Sequence, residues 1–117
     1  IGYNKANVSN AYSTGEVNAG TGGDIGGLIG YMYSGTVTNT YTISAVTGNS
    51  NAGGLIGRKN SGTITSSYWS SALSVVTTSA GGTELTQDNM QLQSSYENWD
   101  FETEPIWVMK TYPELKF

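Results

Sequence analysis

GGLIGYMYSGTVTNTYT, from Gly26 to Thr42, returns 27 residues later as GGLIGRKNSGTITSSYW, from Gly53 to Trp69. Both copies keep the leading glycines, Leu-Ile-Gly, Ser-Gly, a Thr-aliphatic-Thr triplet and a tyrosine. The chain is therefore a tandem repeat. The register extends outward from these copies. Ile1-Gly2-Tyr3 aligns with Ile29-Gly30-Tyr31 and Ile56-Gly57-Arg58. Val8, Val37 and Ile64 form a second rank, Tyr12, Tyr41 and Tyr68 a third, and Val17, Val46 and Leu73 a fourth. Length variation falls in the polar segments between ranks. Because the chain opens on the tail of a GLIG motif, it is expected to be cut from a longer array, with the edge of its first repeat left adhesive.

Within each copy the apolar period is two, which predicts strands. Val8, Asn10 and Tyr12 then share one face, as do Val37, Asn39 and Tyr41, and Ile64, Ser66 and Tyr68. Stacked repeats would set Val over Val and Tyr over Tyr at about 4.8 Å, and a buried Asn10 to Asn39 step would form a side-chain amide ladder. The expected fold is all-β: a right-handed parallel β-solenoid, or β-helix, of about three coils. Handedness follows the parallel crossover rule by analogy. An antiparallel β-sandwich is the alternative, and it suits hairpins better than identical positions spaced 27 to 29 apart. In the repeat Gly26, Gly27, Leu28, Ile29 and Gly30, with Gly53, Gly54, Leu55, Ile56 and Gly57, are structural. The paired glycines are expected to turn the chain into the Leu-Ile strand, and Gly30, Gly57, Gly35 and Gly62 to turn it out. A phosphate-cradling role is set aside, since no helix signal follows the GGLIG runs.

Composition narrows the function classes. The chain has 117 residues, 16 of them glycine, and only 12% are charged, against roughly 25% in ordinary soluble proteins. It has no cysteine and no histidine, which removes disulfides, thiolate nucleophiles, the commonest metal ligand and the most usual general base. No apolar run approaches the ~20 residues of a membrane helix, so direct membrane insertion is not expected. Residues 1–83 carry Lys5, Arg58 and Lys59 against Glu16 and Asp24, while residues 84–117 carry seven acids against Lys110 and Lys116. The basic footprint of a nucleic-acid binder is missing. This charge shift, with loss of the repeat, divides the chain into repeats over 1–83 and a capping segment over 84–117.

In that segment Thr86 is expected to cap a short helix over Gln87 to Gln93, with Met90 as its apolar contact. Strands are expected around Trp99 to Phe101 and Ile106 to Met109. Trp99, Phe101, Trp107, Tyr112, Leu115 and Phe117 are expected to cover the open end of the last coil.

Gly27-Leu28-Ile29-Gly30 and Gly54-Leu55-Ile56-Gly57, each followed by a glycine, an aliphatic strand and a tyrosine, resemble the GLUG repeat of large bacterial surface proteins. That repeat occurs in adhesins similar to filamentous haemagglutinin and, outside the catalytic domain, in some immunoglobulin A peptidases. The run from Tyr68 to Gln91, then NWDFE, IW and TYPEL, is similar to the segment that closes such arrays. Where the family often has an Asp after the Tyr-Trp pair, this chain has Ser70. The resemblance implies a structural or adhesive module of a secreted or cell-surface bacterial protein, flanked by further repeats or domains. Its expected partners are a host glycan or an extracellular protein. The competing class is an accessory, non-catalytic domain of a secreted peptidase or glycan-degrading enzyme.

No enzymatic activity is expected, because the repeats offer only Glu16 and Asp24 as acids, with no histidine partner. No cofactor is expected. Asp100, Glu102 and Glu104 alternate and would present three carboxylates on one strand face, a weak calcium candidate against the six to eight oxygens that ion takes. Thr36-Val37-Thr38 and Thr63-Ile64-Thr65 resemble the threonine ranks of flat ice-binding solenoids and are read as strand propensity. The binding candidates lie where the copies disagree. After Ile-Gly the aligned triplets are Tyr3-Asn4-Lys5, Tyr31-Met32-Tyr33 and Arg58-Lys59-Asn60. Tyr3, Lys5, Tyr31, Tyr33, Arg58 and Lys59 thus gather every basic residue of the repeats into one expected loop rank, suited to stacking on sugars or meeting acidic groups.

Overall fold

The computed structural model describes residues 1–48, 50–103 and 105–116, and it is mostly β with few helical turns. The first layer holds β1 (Tyr3–Asn4), β2 (Val8–Ser13) and β3 (Val17–Asn18). The second holds β4 (Ile25–Gly26), β5 (Ile29–Met32), β6 (Thr36–Thr42) and β7 (Val46–Thr47). The third holds β8 (Ala52–Gly53), β9 (Ile56–Lys59), β10 (Thr63–Trp69) and the helical turn α1 (Ser71–Ser74). There follow β11 (Thr83–Glu84), α2 (Gln87–Met90), a 3-10 turn at Gln93–Ser95, β12 (Trp107–Met109) and β13 (Pro113–Leu115).

Like positions pair in parallel from layer to layer: Tyr3 with Tyr31 and Tyr31 with Arg58, Val8 with Val37 and Val37 with Ile64, Tyr12 with Tyr41 and Tyr41 with Tyr68. Each repeat thus satisfies its backbone groups on its neighbours, as a short Thr- and Val-rich strand cannot do alone. The parallel register rules out the antiparallel sandwich; the one antiparallel pairing among the described residues is the hairpin β12–β13. One rank departs from expectation. Val17 pairs with Val46, but Leu73 lies in α1, so the fourth rank ends after two layers.

The strict alternation expected along β2, β6 and β10 is broken at one residue in each. Asn10, Asn39 and Ser66 sit in the left-handed region, with φ of 53°, 54° and 46°, and are skipped in the ladder. Short polar side chains tolerate this conformation because they can bond locally. The extra residue flips the faces that follow. Val37 points into the interior with Leu28, Ile29, Met32, Leu55, Ile56 and Trp69, while Tyr41 points to the opposite side of the sheet. Valine and tyrosine therefore do not share a face. The expected Asn10 to Asn39 ladder is likewise replaced by this turn, which leaves the buried Asn10 Oδ1 without a hydrogen bond among the described residues.

The glycines divide by role. Gly35 and Gly62 do turn the chain, with φ of 94° and 101°. The GGLIG glycines work instead by close approach: a Cβ on Gly54 would run into the indole of Trp69, and one on Gly27 into the Gly54 carbonyl and the Thr42 side chain. Gly27 and Gly54 also bend the chain, between β4 and β5 and between β8 and β9, as the sequence suggested, whereas Gly30 and Gly57 lie inside β5 and β9 and do not turn it out.

The C-terminal segment also lies elsewhere than expected. Residues 78–85 close the third layer: Gly54 N donates to Thr78 O at 2.8 Å, Ala80 N to Ile56 O at 2.8 Å and Leu85 N to Trp69 O at 2.7 Å, and β11 pairs with β10. The expected boundary at 83/84 thus cuts through β11. The aromatic residues lie along the flank, where Tyr96, Trp99, Trp107 and Met90 bury Tyr41, with Tyr12, Tyr68, Phe101, Tyr112 and Leu115 packed around them. Tyr12 and Tyr41 stack with centroids 5.2 Å apart and planes 3° apart, and the Tyr41 hydroxyl donates to Pro113 O. Phe117 lies outside the described residues. Thr86 does cap α2, accepting from Asn89 N at 3.1 Å, but the helix stops at Met90. Trp99 to Phe101 is not a strand; its Trp99 Nε1 instead donates to Ser66 O at 3.0 Å.

Candidate functional site

The first two residues of each triplet that follows Ile-Gly are strand rather than the loop the sequence suggested, and the third, Lys5, Tyr33 or Asn60, lies just past the strand end. Tyr3 is in β1, Tyr31 in β5, and Arg58 with Lys59 in β9, and the three strands form one parallel sheet. The rank is held by backbone bonds such as Tyr31 N to Gly2 O at 2.9 Å and Tyr33 N to Asn4 O at 2.9 Å. A side chain on a strand between paired neighbours is placed more firmly than one on a loop tip.

At this sheet three tyrosines cluster, two of their three contacts edge to face and the third tilted. Tyr3 and Tyr31 lie 5.4 Å apart at 65°, Tyr31 and Tyr33 6.0 Å apart at 84°, and Tyr3 and Tyr33 6.0 Å apart. The cations sit among them. Lys5 Nζ lies 5.2 Å from the Tyr33 ring centre and 5.8 Å from that of Tyr3, and the Arg58 guanidinium covers Tyr31 at 3.8 Å. Such contacts favour the cation and the ring together. Tyr3 and Tyr33 remain 52% and 41% exposed, so much of the aromatic surface still faces water. Exposed Lys59 joins Tyr31, Arg58 and Asn60 around a shallow depression of about 260 Å³. Five of the six residues singled out in the sequence, Tyr3, Lys5, Tyr31, Tyr33 and Arg58, therefore come together, while exposed Lys59 pairs in register with Met32, which is fully buried in the core.

Two further residues belong to the site. Asp24 Oδ2 lies 3.5 Å from Arg58 Nε, and Asn51 Nδ2 donates to Asp24 Oδ1 at 2.7 Å. Both backbones are left-handed, at φ 44° and 47°. A signal for them existed: Asp24 and Asn51 stand 27 apart, each two residues before a Gly-Gly pair. Asp24 holds the guanidinium over Tyr31 and neutralises part of its charge.

The other candidates do not assemble. Asp100 Oδ1 accepts from Glu102 N at 3.0 Å and Thr103 N at 3.1 Å, making a local turn in place of the expected strand face. Glu104 lies outside the described residues. Among the described residues no group of three metal-ligating side chains is present. The threonine ranks do align, with Thr38 Oγ1 and Thr65 Oγ1 3.4 Å apart.

No family model matches the chain, and no solved structure matches it. It is similar to a protein of Evansella cellulosilytica described as "Putative Gly-rich membrane protein", with 36% identity over 124 residues. That alignment takes in 97% of this chain and 14% of the relative, so the chain spans a small part of the relative's length. Among the described residues no helix is long and apolar enough to cross a membrane.

Proposed function

We propose that this chain is a non-catalytic adhesive module of a secreted or cell-surface bacterial protein, built as a right-handed parallel β-solenoid of GLUG-like coils, which engages extracellular glycan or protein through the Tyr3–Tyr31–Arg58 sheet. One observation carries the reading: tyrosines and cations from three successive layers form a continuous, partly exposed stripe on a strand scaffold. Repeat proteins bind along one stacked face, since variation between repeats there costs no core packing. The parallel register at spacings of 27 to 29 supports the solenoid, and the relative's description as a membrane protein agrees with a place at the cell surface. A sequence without histidine or cysteine supports the non-catalytic part.

The test is a binding screen against extracellular glycans and matrix proteins, run beside a variant with Tyr31, Tyr33, Arg58 and Lys59 changed to Ser. Binding that the variant loses by at least about tenfold is expected. Binding by neither protein would reduce the chain to a spacer.

A further inference from the structure

We infer that the stripe takes an acidic polysaccharide, a chain of sugars bearing carboxylates, rather than a neutral glycan or a protein; the inference rests on the adhesive reading. Three features converge on it. The first is charge placement. Lys5, just past β1, and Arg58 and Lys59, in β9, stand against the single carboxylate of Asp24, on a chain whose net charge is −4. An anionic polymer is repelled by the acidic C-terminal segment and attracted here, so complementarity favours both ligand and orientation.

The second is donor capacity. Arg58 faces Asp24 only through Nε, at a distance long for a hydrogen bond, and its guanidinium makes no hydrogen bond among the described residues. Its planar fork suits a carboxylate, and Lys59 adds a mobile charge beside the 260 Å³ depression. The third is geometry. Parallel neighbours step by about 4.8 Å, comparable to the length of one sugar ring, so successive sugars along the stripe would meet successive layers. The exposed parts of Tyr3 and Tyr33 offer ring surface for the C–H faces of the sugars, and the adjacent cations meet their carboxylates.

The experiment uses the whole chain and three polymers, polygalacturonate, alginate and hyaluronan, each beside its carboxyl-reduced, uncharged form. Binding to at least one acidic polymer is expected, at least about tenfold tighter than to its reduced form and weakening at least about tenfold between about 50 and about 300 mM salt. The Lys5→Gln, Arg58→Gln, Lys59→Gln variant should lose it by a similar factor. Lys5→Gln with Lys59→Gln leaves the Arg58–Asp24 pair intact and serves should the triple variant fail to fold. Equal binding of charged and reduced polymers, or salt-independent binding, overturns the inference and leaves an adhesin for neutral glycans. Binding to matrix proteins but to none of the polymers overturns it in favour of a protein partner. Binding to nothing overturns both this inference and the adhesive reading.

Discussion

At Asn39 the backbone turns left-handed, and the same twist recurs at Asn10 below it and Ser66 above it. This single residue per layer decides which of two cores the rest of the strand serves. A β-branched side chain there meets its own carbonyl, so Asn39→Val should cost about 2 kcal/mol. Ser66→Gly should add up to about 1 kcal/mol, because serine bears this conformation less easily than glycine. Urea midpoints at unchanged slope would check both. The glycines of the repeat answer to a different constraint. Gly54→Ala drives a methyl into the Trp69 indole and should cost about 2 to 3 kcal/mol, read from the same midpoints.

Among the elements, the parallel strands were legible because like residues stack: Val8, Val37 and Ile64 declare their register by identity alone. The faces were not legible, because period-two reasoning carries Tyr41 to the same side as Val37 unless Asn39 is known to be left-handed. That one misplaced face explains why the aromatic C-terminal residues appeared free to cover the end of the stack. They had a tyrosine flank to cover instead. The stripe was legible in which residues it gathers, since its members stand out where the copies disagree, but Asp24 was hidden by lying far from Arg58 in sequence. The flank makes a pH prediction. Burial first, then the neighbouring Tyr96 and Tyr12, pushes the Tyr41 hydroxyl far above the ordinary phenol range. Burial, with Tyr112 and Tyr68, does the same to Tyr96. Above about pH 10 the unfolded chain sheds these protons and the folded chain keeps them, so the unfolded state binds fewer protons and stability falls as pH rises. Urea midpoints should be flat from about pH 7 to 9 and drop steadily beyond about pH 10, and the phenolate absorbance of these two residues should appear only with unfolding.

Taken whole, the molecule is less one-dimensional than its repeats suggest. A simple stack loses stability coil by coil, since each repeat touches only its neighbours. Here Trp107 reaches Tyr12 and Tyr41, which belong to different layers, with ring centres 6.0 and 6.2 Å away. Removing residues 86–117 should therefore bare the tyrosines of all three layers at once. The truncated chain is expected to bind a hydrophobic dye and to unfold over a broad range, where the full chain unfolds in one sharp transition by circular dichroism. The bond from Tyr41 to Pro113 spans 72 positions of sequence. A ribosome delivers those positions in order, at about 5 to 20 residues per second. A stack that formed its ladder during that interval would stand for several seconds with its outer wall bare, and would have to pass through it without sticking to its neighbours.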